Sequence, residues 1–145
     1  MSRHILLIGT GAIADLIYLP LLAGNPEWRP LVRCVDRDQE LLKAATTRHG
    51  VTTGGTDYHP LLAEAAVAIV ATPPRSHFSI AKECLEAGLH VILEKPLTNT
   101  HAEAVQLVAL ARQRERLLMV NNTRRLFQNY AGIQRILAAG ELGQL

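Results

Sequence analysis

The residues best suited to chemistry stand in four short runs. The first is Gly9-Thr10-Gly11-Ala12-Ile13-Ala14, a GxGxxA pattern between an apolar run and a segment of helical spacing. In such a turn the first glycine allows a tight bend and the second lets the backbone approach a phosphate. The terminal small residue lets the helix pack close to the strand. Free N–H groups and roughly half a positive charge at the helix start suit a pyrophosphate. Asp36 follows Gly11 by 25 positions and closes the second apolar run. A carboxylate there can accept the hydroxyls of an adenosine ribose and repel a 2′-phosphate, which points to NAD. The adjacent Arg37 could pair with that phosphate, so NADP stays open. Helix capping is the plainer use of Asp36, but Asp38 suits that task better.

The third run, Ala71-Thr72-Pro73-Pro74-Arg75-Ser76-His77, begins at the carboxyl end of an apolar strand, where open parallel sheets bind ligands. Its prolines stiffen the backbone. His77 falls in the first turn of the next helix and, from its type alone, suits a structural part as well as a functional one. The fourth run, Glu94-Lys95-Pro96, ends another strand. Pro96 restricts Lys95 to extended backbone. A lysine so held can point into a cleft as a proton donor or as an anchor for a hydroxyl, with Glu94 orienting it. An ordinary surface Glu–Lys pair is the simpler reading. The Lys95–Pro96 bond is a candidate for the cis form, which would help aim Lys95.

These runs need elements to position them, and the pattern supplies six strands. Apolar runs at residues 4–8, 31–35, 67–71, 90–93 and 117–120 read as strands, the first of them buried on both faces, with a weaker extended piece at 51–56. Gly54-Gly55 reads as a turn. Helical spacing covers 13–23, where Pro20 is expected to kink the helix, and a segment from Asp38 to a stop at Gly50. A short helix is expected at 58–65, and longer ones at 76–87 (capped by Gly88), from Thr100 to 114, and at 129–139. Strands alternating with helices imply α/β architecture: a doubly wound parallel sheet of the Rossmann type, one domain over residues 1–145.

Composition narrows the function classes. The chain has 145 residues, 48% of them hydrophobic and 19% charged, which suits a packed core and excludes a disordered tail. A net charge of +2 does not mark a nucleic-acid binder. The late arginines (Arg112, Arg114, Arg116, Arg124, Arg125 and Arg135) read as a solvated face with a local anion site. Residues 5–23 are apolar enough to resemble a membrane or signal segment, but Asp15, Pro20 and the two glycines interrupt them. Cys34 and Cys84 stand alone inside apolar patterns, as free thiols in a reducing cytoplasm. No metal site is expected, because the six histidines show no paired ligand spacing.

Taken together, GTGAIA, VDRD at 35–38, ATPPRSH at 71–77, EKPL at 94–97 and GELG at 140–143 resemble the glucose-fructose oxidoreductase / inositol dehydrogenase family, Gfo/Idh/MocA. The resemblance runs along essentially the whole chain. It implies a nicotinamide-cofactor domain, followed in family members by a substrate domain that also mediates oligomerisation. It implies hydride transfer between NAD or NADP and a hydroxyl or keto carbon of a sugar- or polyol-like substrate. By resemblance, Lys95 is the catalytic lysine that touches the reacting hydroxyl. Gly9, Thr10, Gly11, Ala12 and Ile13 surround the pyrophosphate, while Thr72, Pro73, Pro74 and His77 flank the cofactor. Glu94, with Lys95 and Pro96 beside it, lies near the nicotinamide ribose, and Asn122 and Arg125 border the nicotinamide end. Two departures are peripheral: Ala66 stands where the family often has Asp, and Gln128 stands where a proline is common.

The chain ends at Leu145, where the family enters its substrate domain, and the Asp and His that the family uses downstream are absent. The expectation is therefore an N-terminal domain that binds cofactor with little turnover of its own. The full-length protein is expected to be a cytoplasmic homo-oligomer with a small-molecule substrate and with no nucleic acid or membrane as partner. The rival from another class is an NAD-sensing or scaffold module, which has no need of Glu94-Lys95-Pro96. A methyltransferase also places a glycine-rich turn after its first strand, but lacks the TPP and EKP segments.

Overall fold

The computed structural model describes residues 4–122 and 128–143. The apolar runs and the weaker extended piece form six parallel strands: β1 His4–Ile8, β2 Val32–Val35, β3 Thr52–Gly55, β4 Ala65–Val70, β5 His90–Glu94 and β6 Leu118–Asn121. Their order in the sheet is β3-β2-β1-β4-β5-β6. Successive connections therefore run outward in both directions from β1, and the direction reverses between β1 and β4. The crevice beyond the carboxyl ends of β1 and β4 is the place where such sheets take ligands.

Side-chain alternation explains why the strands read as continuous apolar runs. Leu6 and Ile8 of β1 face one layer, packing with Ile80 and Leu85 of α3 (His77–Glu86) and Leu107 of α4 (His101–Gln113). Leu7 faces the other layer, with Leu19 and Leu22 of α1 (Leu19–Gly24) and Leu42 of α2 (Gln39–His49). Both faces of the central strands β2, β1, β4 and β5 are thus covered, while the edge strands β3 and β6 are partly exposed.

The helix ends follow from local chemistry. The Asp38 carboxylate accepts from the N–H groups of Glu40 and Leu41 to start α2, and Gly50 ends it in the left-handed conformation. Thr100 and Glu103 form a reciprocal capping box at α4. A last helix, α5, spans Gln128–Ala138.

Two expectations are corrected and a third gains detail. Ahead of Pro20 the helix widens into a π-helical turn, Ala14–Tyr18, in which the Leu19 N–H reaches back to the Ala14 carbonyl. The wider turn precedes the residue that lacks an N–H and crowds the preceding turn. Gly54 and Gly55 lie inside β3, not in a turn. The β2–β3 register shifts there, pairing Cys34 with Thr53 and Val35 with Gly55, so Gly54 is the extra residue of a bulge. A Cβ on Gly54 would sit 2.7 Å from Leu61 and 3.2 Å from the Cys34 carbonyl. The short helix expected at 58–65 is a 3₁₀ segment, His59–Glu64, and Ala65 already belongs to β4.

Candidate functional site

The glycine-rich turn is stitched between the two strands that flank it. Gly9 N–H donates to the Val35 carbonyl, and Ala71 N–H donates to the Ile8 carbonyl, both at 2.8 Å. Gly9 has φ +96°, and a Cβ there would lie 2.7 Å from the Ala71 carbonyl oxygen. Glycine is therefore required by both conformation and contact. Gly11 differs: a Cβ on it would meet nothing within 4 Å. Its missing side chain leaves open space at the mouth of the crevice, directly before the helical turn that holds Ala12 and Ile13. The N–H groups of that first turn have no intrahelical partners, so the space fits a phosphate.

Thr10, between these glycines, is only 1% exposed. Its N–H and hydroxyl both donate to Asp36 Oδ2, at 2.7 and 3.1 Å, while Asp38 N–H donates to Asp36 Oδ1 at 3.0 Å. The carboxylate singled out as a ribose acceptor is thus also the anchor of the glycine-rich turn. About four acceptor positions exist on a carboxylate, and three are taken. Asp36 can still accept from a ligand hydroxyl, but through a group already committed to the protein.

A cleft of about 510 Å³ opens beside this turn, within the size range of small-molecule sites. Gly9, Gly11, Asp36, Arg37, Thr72 and Pro73 line it, and Asp57, Tyr58 and His59 close its far side. That far side carries a charged cluster with no motif to announce it. The Tyr58 hydroxyl donates to Glu83, and the His59 ring lies between Asp57 and Glu83, stacked on Tyr58 with centroids 4.3 Å apart. The hydrogen bond to Asp57, and to a lesser degree the Asp57 and Glu83 charges, raise the His59 pKa above its ordinary value.

At the end of β4 the Ser76 hydroxyl donates to the Thr72 hydroxyl and is also 2.9 Å from the Pro73 carbonyl, which shapes the TPP loop. His77 occupies a bridging position. Its ring is 1% exposed, with Nδ1 at 2.8 Å from the Pro96 carbonyl and Nε2 at 2.8 Å from the Thr72 carbonyl. It links the TPP loop to the EKP loop from within the protein, one ring nitrogen set against the carbonyl of each. Pro74 opens the 3₁₀ turn Pro74–Ser76, and its carbonyl accepts from Asn99.

The EKP run closes β5. The Lys95–Pro96 bond is cis, as its position suggested. Lys95 is exposed, and no ion pair involves its ammonium among the described residues. Glu94 does not hold that ammonium. It is 6% exposed, and its Oε2 accepts from the Lys95 main-chain N–H at 3.3 Å. Its Oε1 accepts from the Tyr18 hydroxyl at 2.8 Å and from Asn121 Nδ2 at 2.7 Å. Burial first, and then the bond to Glu94, hold the Tyr18 hydroxyl above the ordinary phenol range, so it stays protonated. Tyr18 and Asn121 were missed in the sequence, since neither belongs to a spacing motif. Asn122 is exposed just beyond β6. Arg125 lies outside the described residues.

A 3-2-1-4-5-6 parallel sheet, a glycine-rich turn against its switch point and an acid at the end of β2 define a dinucleotide-binding Rossmann domain. Comparison with known proteins agrees: residues 3–122 match the model of the oxidoreductase family with an NAD-binding Rossmann fold, and the chain belongs to this Gfo/Idh/MocA family. An oxidoreductase of Schizosaccharomyces pombe, C115.03, is 31% identical over 95% of the chain and 38% of its own length. Inositol 2-dehydrogenase 1 of Saccharopolyspora erythraea is 32% identical over 99% of the chain and 43% of its own length. KijD10, a 3-ketoreductase from Actinomadura kijaniata solved with NADP, superposes with a TM-score of 0.84 at 29% identity, covering 99% of this chain and 46% of that one. The chain thus spans less than half the length of each of these relatives. Among the described residues, no helix is long and apolar enough to cross a membrane.

Proposed function

We propose that this chain is the cofactor-binding half of an NAD(P)-dependent oxidoreductase acting on a hydroxyl or keto carbon of a sugar- or polyol-like substrate. The observation that carries the reading is the pair of glycines. Gly9 is pressed against Ala71, while Gly11 leaves the crevice open in front of the first helical turn. The pyrophosphate would rest on the N–H groups of Ala12 and Ile13, with Thr72 and Pro73 along the opposite wall. Asp36 would receive the adenosine ribose and Arg37 would stand beside it. This favours NAD while leaving a cation near a 2′-phosphate.

When bound, the nicotinamide ring accepts or supplies the hydride. The protein's own contribution at the reacting end is Lys95, held at its main chain by Glu94 and with its ammonium unpaired among the described residues. An unpaired ammonium can donate a hydrogen bond to the reacting oxygen and exchange a proton with it. The exposed apolar side chains at the β6 edge and on α5, including Met119, Ile133 and Ile136, suit a polypeptide that packs a substrate domain there. On this proposal residues 1–145 bind cofactor with little turnover, and the protein works as a cytoplasmic homo-oligomer, as the family resemblance implies. Calorimetric titration with NADH and NADPH tests the reading. Binding of NADH at least as tight as that of NADPH is expected. Tighter binding of NADPH would overturn the role given to Asp36, and robust dehydrogenase turnover by residues 1–145 would overturn the division of labour.

A further inference from the structure

Tyr18, Glu94 and Asn121 come from three distant parts of the chain: the π-turn after the glycine-rich loop, the end of β5 and the end of β6. Their polar atoms converge on one point. The Tyr18 hydroxyl donates to Glu94 Oε1 at 2.8 Å, and Asn121 Nδ2 donates to both the Tyr18 oxygen and Glu94 Oε1, each at 2.7 Å. A carboxylate that is 6% exposed is costly to bury and is retained only with close donors. Packing alone does not call for this arrangement, since apolar residues of the same volume would fill the space at no electrostatic cost.

The location assigns the network a task. A doubly wound sheet is built from two mononucleotide-binding halves. Asp36 and Arg37 follow β2, in the half made by β1 to β3, so on the dinucleotide reading the adenosine end lies there. Glu94 and Asn121 close the strands of the other half, which takes the nicotinamide mononucleotide. The π-turn brings the Tyr18 hydroxyl to this second half from a helix that begins at the first, and turns of this kind are frequent at functional sites.

We propose that Tyr18 and Asn121 are positioning residues for the nicotinamide half of the cofactor, acting through the Glu94 carboxylate and the Lys95 main chain it holds. The inference rests on the dinucleotide reading given above. With Oε1 pinned by two donors, Oε2 is fixed in direction. It takes the Lys95 N–H and so sets where the Lys95 side chain leaves the backbone.

The test compares two ligands on the 145-residue chain. One is whichever reduced dinucleotide, NADH or NADPH, binds more tightly. The other is the matching analogue without nicotinamide, ADP-ribose or 2′-phospho-ADP-ribose. In Tyr18→Phe the dinucleotide is expected to weaken about tenfold, as for loss of a hydrogen bond to a charged group. The analogue is expected to stay within about twofold, and the bound nicotinamide fluorescence is expected to shift toward that of free cofactor. Equal weakening of both ligands, or no weakening of either, would overturn the inference. If circular dichroism shows Tyr18→Phe unfolded, Asn121→Ala is read by the same criterion. Unfolding of both variants would make the network purely structural and overturn the inference. Failure of the wild-type chain to bind any of these ligands would instead bring down the dinucleotide reading itself, and this inference with it.

Discussion

Asp36→Ala separates two accounts of the residue that ends β2. If Asp36 only reads the ribose, the alanine variant loses NADH affinity, gains NADPH affinity and keeps its stability. The structure gives a different expectation, because Asp36 accepts three hydrogen bonds, two of them from Thr10. Thr10 is 1% exposed, so its main-chain N–H would be left in the interior without a partner. That omission costs about 1–3 kcal/mol, and the loss of the hydroxyl's partner adds to it. Asp38 N–H is exposed enough to find water and adds little. The expected destabilisation is about 2–4 kcal/mol, a large share of the ordinary 5–15 kcal/mol for a domain. At about 4 °C per kcal/mol the melting temperature should fall by about 8–16 °C. With the glycine-rich turn untied, affinity for both NADH and NADPH should fall. Thermal denaturation followed by calorimetric titration reads both effects. An unchanged melting temperature together with tighter NADPH binding would refute the anchoring role.

Other perturbations follow from the same geometry. Gly9→Ala forces a positive φ on alanine and sets its Cβ 2.7 Å from the Ala71 carbonyl oxygen. It should cost about 2–5 kcal/mol in urea denaturation, the sum of the conformational and overpacking penalties. His59 has a raised pKa through Asp57 and Glu83, so its contribution to stability is full below the unfolded value, about 6.5, and fades as pH rises through the folded value. The wild type should therefore melt above His59→Asn at pH 5.5, with the gap closing by pH 9, as differential scanning at the two pH values would show. In a polypeptide that joins this domain to a substrate domain, Lys95→Ala should lower kcat by about 10²–10⁴ while the cofactor Kd stays nearly constant. Steady-state kinetics with cofactor titration would distinguish this from a sensor, in which turnover is indifferent to Lys95.

The central strands β1, β2, β4 and β5 were legible because their two faces are largely buried, which leaves near-continuous apolar runs with sharp ends, whereas β3, Thr-Thr-Gly-Gly at the sheet edge, gave only a weak signal. The caps at Asp38, Gly50 and Thr100 were legible because each depends on one residue type at one position. Where the reading of the sequence fell short, the deciding contact lay across the sheet. The position of Asp36 places a carboxylate at the end of β2 but does not say that Thr10 is already bound to it. Gly54-Gly55 has turn composition, and only the register against β2 makes it a bulge. Pro20 signals a disturbed helix, but not that the disturbance is a π-turn that brings Tyr18 to Glu94. Glu94 beside Lys95 suggests an ion pair. The buried donors from Tyr18 and Asn121, separated from it by 76 and 27 positions, take the carboxylate instead.

The central claim is that a nicotinamide dinucleotide lies across the crevice with its pyrophosphate in the space left by Gly11. Gly11→Val tests it most directly, since a Cβ there meets no protein atom within 4 Å and the fold should tolerate the change. The account predicts a melting temperature close to that of the wild type and affinity for NADH and NADPH reduced at least about a hundredfold, as expected when side-chain atoms occupy the phosphate position. A folded Gly11→Val chain that bound either dinucleotide as tightly as the wild type would contradict it.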